Sequence, residues 1–295
     1  MTISAILVNY NDARHLEACL GALTAELIGR DSEIIVVDNA SEDGSLSLLS
    51  SRFPAVKTVA NAANEGFARA NNRGVRESAG DVLLFLNTDT VIQPGALSRL
   101  LETLASAPEI GACGPALFRR DGSFQVSFGR PVSFFGQMIQ KSVLNPFQTR
   151  ALKRPKTRKP RRTAWLSAAC LLFRRPAFEQ AGGFDERFFI YFEDIDLCRR
   201  ATQAGWQLIF DPAARVLHEG GATTTPRPKT SRFEYRRSQL LYYQKHASPF
   251  SRVLLRLSLR AAITAKAAFG GFRGLEGRDL RRKYRQLLKS GGGRR

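Results

Sequence analysis

A chain of 295 residues, 43% of them hydrophobic, can bury a large core, which excludes a small scaffold that depends on staples. Its formal charge of +19 is uneven: residues 225–295 hold 19 basic and three acidic side chains, residues 150–162 eight basic and none acidic, and the rest 18 basic against 23 acidic. The body is mildly acidic, so the basicity reads as a docking attachment and not as a nucleic-acid-binding core. Cys19, Cys113, Cys170 and Cys198 stand far apart with no CxxC pair, the usage of a reducing compartment and neither a disulfide framework nor a zinc site.

Residues 2–8 (TISAILV) read as a first strand and not as a leader, because no basic segment precedes them and Asn9 and Asn11 follow at once. Cytoplasmic residence is therefore expected. Leu16, Leu20, Leu23 and Leu27 then recur at helical spacing. Residues 34–37 form a short buried strand ending at Asp38, and 43–52 a helix introduced by Ser41. Residues 56–59 give a third strand, 67–77 a helix, 81–86 a fourth strand and 96–105 a further helix. This βα alternation predicts an α/β fold with a doubly wound, mostly parallel sheet covered by helices on both faces. In such sheets ligands bind beyond the carboxyl ends of the strands.

A less regular stretch with Pro115, Gly122 and Gly129 follows, then a basic loop over 153–162. Residues 165–173 return to the core, 184–192 are rich in aromatics, 196–204 read as a helix ended by Gly205, and 207–210 as a last strand followed by Val216, Leu217 and His218. The expected division is a catalytic domain over 1–224, with a donor half (1–95) and an acceptor half (96–224), and a basic helical appendage over 225–295. Residues 253–272 are interrupted by Arg256, Arg260 and Lys266, short of the roughly 18–20 apolar residues that cross a bilayer.

The polar residues cluster at the predicted strand ends. Tyr10 and Asp38 would face one crevice, where a ring stacks on a base and a carboxylate accepts from a base N–H or a ribose hydroxyl; Asp38 could equally start a turn. Asn64, Gly66, Phe67 and Asn71 open a helix whose first N–H groups favour a phosphate, although Asn and Gly open many helices that bind nothing. Asp89, ending a hydrophobic strand, suits a hard divalent cation or a simple cap. His218 could join a mixed metal site or be structural. Glu193, Asp194 and Asp196 suit a helix dipole, yet carboxylates among Phe188, Phe189, Tyr191 and Phe192 also gain the raised pKa of a general base. Helical spacing puts Glu193 and Asp196 on one face and Asp194 on another.

Taken in order, several stretches resemble glycosyltransferase family 2, with its GT-A fold, and within it the bacterial rhamnosyltransferase-like group. They are Val36-Val37-Asp38-Asn39-Ala40-Ser41, Asn64-Glu65-Gly66-Phe67-Ala68 with Asn71-Asn72, Leu86-Asn87-Thr88-Asp89-Thr90, residues 167–175, and Gly182-Gly183-Phe184-Asp185 through to Cys198. The resemblance implies that Asp38 contacts the nucleoside, that Asp89 is the surviving acid of a DxD motif, and that His218 is a further ligand to Mg²⁺ or Mn²⁺. It implies Asp194 as general base with Glu193 beside it, and Trp165 and Asp196 on the acceptor side. Two positions depart from the pattern: Asn87, on the donor side, replaces the first acid, and Ala168 stands where relatives often have Gly. The implied reaction is an inverting displacement from a nucleotide-diphosphate sugar, dTDP-L-rhamnose or a UDP-sugar, to a saccharide or lipid-linked acceptor of cell-surface polysaccharide synthesis.

The rivals are a nucleic-acid binder using Tyr235, Tyr242 and Tyr243 among the tail arginines, which leaves the acids unexplained, and a nucleotidyltransferase. A dinucleotide-dependent dehydrogenase is disfavoured because no GxGxxG follows the first strand. In the tail, Arg252, Arg256 and Arg260 form one stripe with Leu254, Leu257 and Ala261 opposite, a pattern suited to a peripheral helix on the anionic inner face of the cell membrane.

Overall fold

The computed structural model describes residues 1–134, 136, 159–219, 228–268 and 274–290. The first half alternates as expected: β1 (Ile3–Asn9), α1 (Ala13–Leu27), β2 (Ser32–Asp38), α2 (Ser45–Arg52), β3 (Lys57–Ala60), α3 (Phe67–Arg76) and β4 (Val82–Asn87). Then come β5 (Thr90–Ile92), α4 (Ala96–Ala105), β6 (Ile110–Phe118), β7 (Phe124–Gln125), β8 (Phe128–Gly129), β9 (Arg161–Arg162), β10 (Trp165–Leu166) and β11 (Cys170–Arg174). The chain continues through α5 (Arg175–Gln180), α6 (Glu193–Gln203), β12 (Gln207–His218), α7 (Pro228–His246), α8 (Pro249–Ala268) and α9 (Gly274–Ser290).

The main sheet runs β3-β2-β1-β4-β11-β6-β12-β5. The pairs β2–β3, β1–β2, β1–β4 and β6–β12 are parallel, while β11 and β5 run against their neighbours. Strand order reverses at β1, with β2 on one side and β4 on the other, so the carboxyl ends of β1 and β4 flank the switch point where such sheets bind ligands.

Alternation along the strands builds two core layers. Leu84 and Leu86 meet the α1 and α4 leucines on one face, and Leu83 and Phe85 meet α3, α5 and α6 on the other. All five apolar side chains of β4 are buried, each contributing about 1.5–3 kcal/mol. The strand that carries the polar cluster at its end is thus held from both sides.

Four expectations change. The irregular stretch after α4 is the nine-residue, wholly buried β6. Its Gly111 and Pro115 look like breakers, but a Cβ on Gly111 would lie 2.8 Å from that of Trp206 and 2.9 Å from that of Ala177, so the glycine marks close packing. The last strand is a single 12-residue β12 with a register shift between Asp211 and Arg215. Helix α2 starts at Ser45, where the Asp43 carboxylate accepts from the Ser45 amide, and not at Asp43 behind Ser41. Helix α6 starts at Glu193, three residues earlier than expected.

The C-terminal helices pack on the loop that precedes α6. Leu240, Leu241, Tyr242 and Tyr243 of α7 are buried with Phe188 and Phe192 in a third cluster that includes Leu255, Leu259, Leu287 and Leu288. Tyr242 and Tyr243 are therefore core residues and not a stacking platform for bases, and Tyr235 packs on Tyr191 and Phe192. The basic composition concealed this, because the partner surface lies far away in sequence. The boundary at 224/225 and most of the basic loop fall outside the described residues; Arg161 stacks 4.4 Å from the Phe128 ring. No described helix is long and apolar enough to cross a membrane.

Candidate active site

At the end of β1, Tyr10 is one of the few exposed large side chains, at 36%. Asp38 is fully buried. Its Oδ1 accepts from Asn9 Nδ2 at 2.7 Å and its Oδ2 from the Ser41 amide at 2.8 Å, so the turn role is realised. Asn11 and Ala40 beside it hold φ of 52° and 62°, a cost of roughly 1–2 kcal/mol each; such strain concentrates at functional sites.

The opening of α3 differs from an exposed anion site. The Phe67 amide donates to the Phe189 carbonyl at 2.7 Å, and the Gly66 amide to Asn64 Oδ1 at 3.0 Å. Gly66 has φ 87°, and a Cβ there would lie 2.5 Å from Phe189 O. Asn71 is buried and donates to the Phe67 carbonyl at 2.9 Å, while Asn72 exchanges two hydrogen bonds with the Phe184 backbone. Two amides expected to face a ligand are thus taken, and the motif clamps the aromatic loop before α6.

Beyond β4, Asp89 is 7% exposed with Oδ1 3.2 Å from His218 Nε2. Burial pushes the Asp89 pKa up, but the hydrogen bond and charge of His218 outweigh it and the carboxyl sits below its usual range. His218 Nδ1 lies 2.8 Å from Gln125 Oε1, so the tautomer that donates from Nδ1 would turn an Nε2 lone pair toward the carboxylate in place of the Nε2–H that the protonated ring offers it. Two acceptors facing each other need a proton or a cation between them. Ligands at right angles on an ion with ~2.1 Å bonds stand about 3.0 Å apart, so the pair fits a divalent ion. Asn87 Nδ2 approaches the same nitrogen at 3.5 Å, and no cluster of three or more His, Cys, Asp or Glu metal donors forms among the described residues.

Two residues here escaped the sequence reading. Asp12 is buried, with Oδ2 accepting from Thr88 Oγ1 at 2.7 Å and Oδ1 2.5 Å from His15 Nδ1. His15 Nε2 in turn reaches Glu219 at 3.1 Å. Burial raises the Asp12 pKa, opposed by the Thr88 and His15 bonds. The available signal was an Asp and a His one helical turn apart directly after the first strand, with only three histidines in the chain.

The acids of α6 divide as their spacing predicts: Glu193 and Asp196 are buried and Asp194 half-buried. Asp194 Oδ1 accepts from the Ile195 amide at 2.8 Å and Oδ2 from the Ala168 amide at 3.2 Å. Burial raises its pKa against those two bonds. Burial, then the Asp194 charge, lifts Glu193 well above its usual range, and its buried Oε2 has no hydrogen-bond partner among the described residues. The Ala169 carbonyl accepts from the Asn87 amide at 3.0 Å. One short loop thereby joins the Asp194 carboxylate to the strand end that carries Asp89.

Asp196 is not on an acceptor surface. It is fully buried, with Arg200 Nε at 2.8 Å, Lys245 Nζ at 2.6 Å and His246 Nε2 at 2.7 Å. Lys245 also reaches Asp185 at 2.6 Å, and Ser238 donates to the Ile190 carbonyl at 2.7 Å, so α7 fixes the loop at several points. Trp165 is partly buried against Gly129, where a Cβ would lie 2.6 Å from its Nε1.

Residues 4–182 match the model of glycosyl transferase family 2. The N-acetylglucosaminyl-diphospho-decaprenol L-rhamnosyltransferase of Mycobacterium tuberculosis is 33% identical, across 97% of both chains. Among solved structures, the mannosyltransferase PcManGT from Pyrobaculum calidifontis, in complex with GDP-Man and Mn²⁺, superposes with TM-score 0.60 at 20% identity, over 98% of this chain and 83% of its own. TarS from S. aureus, in complex with UDP, gives TM-score 0.54 at 14% identity over 87% and 69%. These likenesses support the GT-A sheet, and the chain belongs to glycosyl transferase family 2, in its rhamnosyltransferase-like group.

Proposed function

We propose that this enzyme transfers a sugar, L-rhamnose from dTDP-rhamnose before a UDP-sugar, onto a hydroxyl of a diphospho-lipid-linked saccharide, with inversion. The observation that carries the reading is the placement of Asp194, half-buried and one loop from Asp89, in a chain alike over its full length to a lipid-acceptor rhamnosyltransferase.

The attacking hydroxyl must lose its proton as the new bond forms. Asp194 has its carboxylate oriented by two backbone amides and its pKa raised toward a base's working range. Burial favours the neutral form of Glu193 beside that base. Tyr10 borders the nucleoside, with Asp38 holding the turn beside it and Asn64, Gly66, Phe67, Asn71 and Asn87 shaping the crevice, and Trp165 borders the acceptor. Asp89 and His218 would hold Mg²⁺ or Mn²⁺, which neutralises the diphosphate and the charge that builds on it as it leaves.

The enzyme acts at an anionic membrane surface, on the cytoplasmic side. Helix α8 exposes Phe250 at 64%, Val253 at 53% and Leu257 at 53%, beside Arg252, Arg256 and Arg260. Phe250→Glu with Leu257→Glu should abolish sedimentation with anionic vesicles; unchanged sedimentation contradicts docking by this face. For the reaction, a panel of nucleotide sugars is offered with a lipid-diphosphate-linked N-acetylglucosamine. The expected product carries the sugar with its anomeric configuration opposite to the donor's, read by proton NMR. Retention, or release of pyrophosphate, contradicts the proposal.

A further inference from the structure

Helices α7, α8 and α9 and the loop before α6 enclose a cleft of about 580 Å³. Its wall is apolar, with Leu240, Leu259, Ile263 and Leu287, and its edge carries Arg232 and Arg236, one turn apart on α7. Protein interiors hold few voids larger than a water molecule, whereas small-molecule sites span roughly 300–1,000 Å³ and combine apolar walls with a few polar groups. The cleft has the second character.

The two cations are poised toward an anion. Arg236 donates to Gln239 Oε1 at 2.7 Å and Arg232 is exposed; among the described residues neither meets a carboxylate. Both stand close to the Tyr284 hydroxyl, whose pKa burial raises and the two guanidiniums pull back. Planar guanidiniums suit the oxygens of a phosphate.

The groups that line the cleft match one ligand class. Tyr191 lines one side and precedes Asp194 by three residues, and Tyr191 and Phe192 hold φ of 70° and 68°, so the cleft borders the strained turn that delivers the base. Arg232, Arg236 and the leucine wall line the same cleft. A lipid-linked saccharide presents a hydroxyl-bearing sugar, a diphosphate and an apolar chain, one for each of these three kinds of group. We propose that this cleft binds the diphosphate and the first isoprenoid segment of the acceptor; the assignment rests on the reading above that the acceptor is lipid-linked. Ala262 and Ile263 of α8 line the cleft, while Phe250, Val253 and Leu257 of the same helix face outward. A chain drawn from a bilayer under α8 would reach the cleft along that helix.

The test is photolabelling of the full-length protein with farnesyl diphosphate bearing a benzophenone, read by mass spectrometry. Label is expected on peptides from residues 228–290 and on the loop at 186–192, displaced by unmodified farnesyl diphosphate. Ala262→Trp, which fills the cleft, and Arg232→Gln with Arg236→Gln should each lower labelling at least tenfold at unchanged Tm. The arginine pair sits at the rim, so it serves if the tryptophan does not fold. Label elsewhere, equal labelling of the variants, no labelling, or equal labelling by photoreactive phosphatidylglycerol overturns the assignment. Transfer assays separate the two claims. If labelling behaves as expected but no lipid-linked saccharide is glycosylated, the cleft stands and the proposed reaction falls; if glycosylation proceeds with equal kcat/KM in wild type and both variants, the reverse holds.

Discussion

Replacing Asp196 with Asn keeps the shape of a fully buried side chain while removing the negative charge that Arg200, Lys245 and His246 share. Breaking a buried ion pair from one side costs about 3–5 kcal/mol. Arg200 and Lys245 keep 20% and 17% of their side-chain exposure, so water offsets part of the loss and about 2–3 kcal/mol is the working figure. With an unfolding entropy of roughly 2.1 cal/mol/K per residue over this length, that lowers Tm by about 3–5 °C. Calorimetry on wild type, Asp196→Asn, Lys245→Gln and the double variant measures the loss and the coupling: the double variant should lose less than the sum of the two singles, because either one already breaks the pair. Turnover at saturating acceptor should fall no further than the folded fraction does. A normal Tm with a raised acceptor KM would refute the structural role of this ion cluster and return Asp196 to the acceptor side.

Gly66→Ala places a methyl 2.5 Å from Phe189 O at a φ of 87°, a strain of about 1–3 kcal/mol, and should loosen the 186–192 loop, seen as faster amide exchange there and lower kcat; unchanged exchange in that loop contradicts the clamp. Glu193 is held above its ordinary value of 4.5, so the folded chain binds a proton that the unfolded chain has released, and stability falls as pH rises from there through the folded pKa. Glu193→Gln is neutral throughout and should raise Tm more at pH 8 than at pH 5; parallel Tm curves would exclude a buried acid. Excess chelator should abolish turnover and Mn²⁺ or Mg²⁺ restore it, and Asp89→Ala should weaken donor binding by about tenfold or more, whereas full activity in chelator removes Asp89 and His218 from the metal role.

The parallel half of the fold was legible because β1, β2 and β4 are short apolar runs between helical leucine repeats, and length and turn residues separate the two. Strand β6 was not legible. Its Gly111, Gly114 and Pro115 carry turn chemistry locally, and only Trp206, Ala177 and Leu166 packed against it explain the small residues. At the site, the division between Asp194 and its neighbours followed from helical spacing, and the Asp89–His218 approach from two strand ends on one sheet edge. The roles of Gly66, Phe67 and Asp196 did not, since each is decided by a partner far away in sequence, Phe189 for the first two and Lys245 with His246 for the last. The packing of Tyr242 and Tyr243 was hidden for the same reason. Charge and aromatic counts along a segment do not show which face a distant loop will cover.

The central claim is that Asp194 removes the acceptor's proton. Asp194→Asn preserves size and most hydrogen bonding, and a positioned base contributes about 10²–10⁴ in rate. Turnover and donor affinity measured on the same preparation should show kcat reduced by that factor with donor Kd and Tm nearly unchanged. A folded Asp194→Asn enzyme turning over near the wild-type rate would place the base elsewhere and contradict the account.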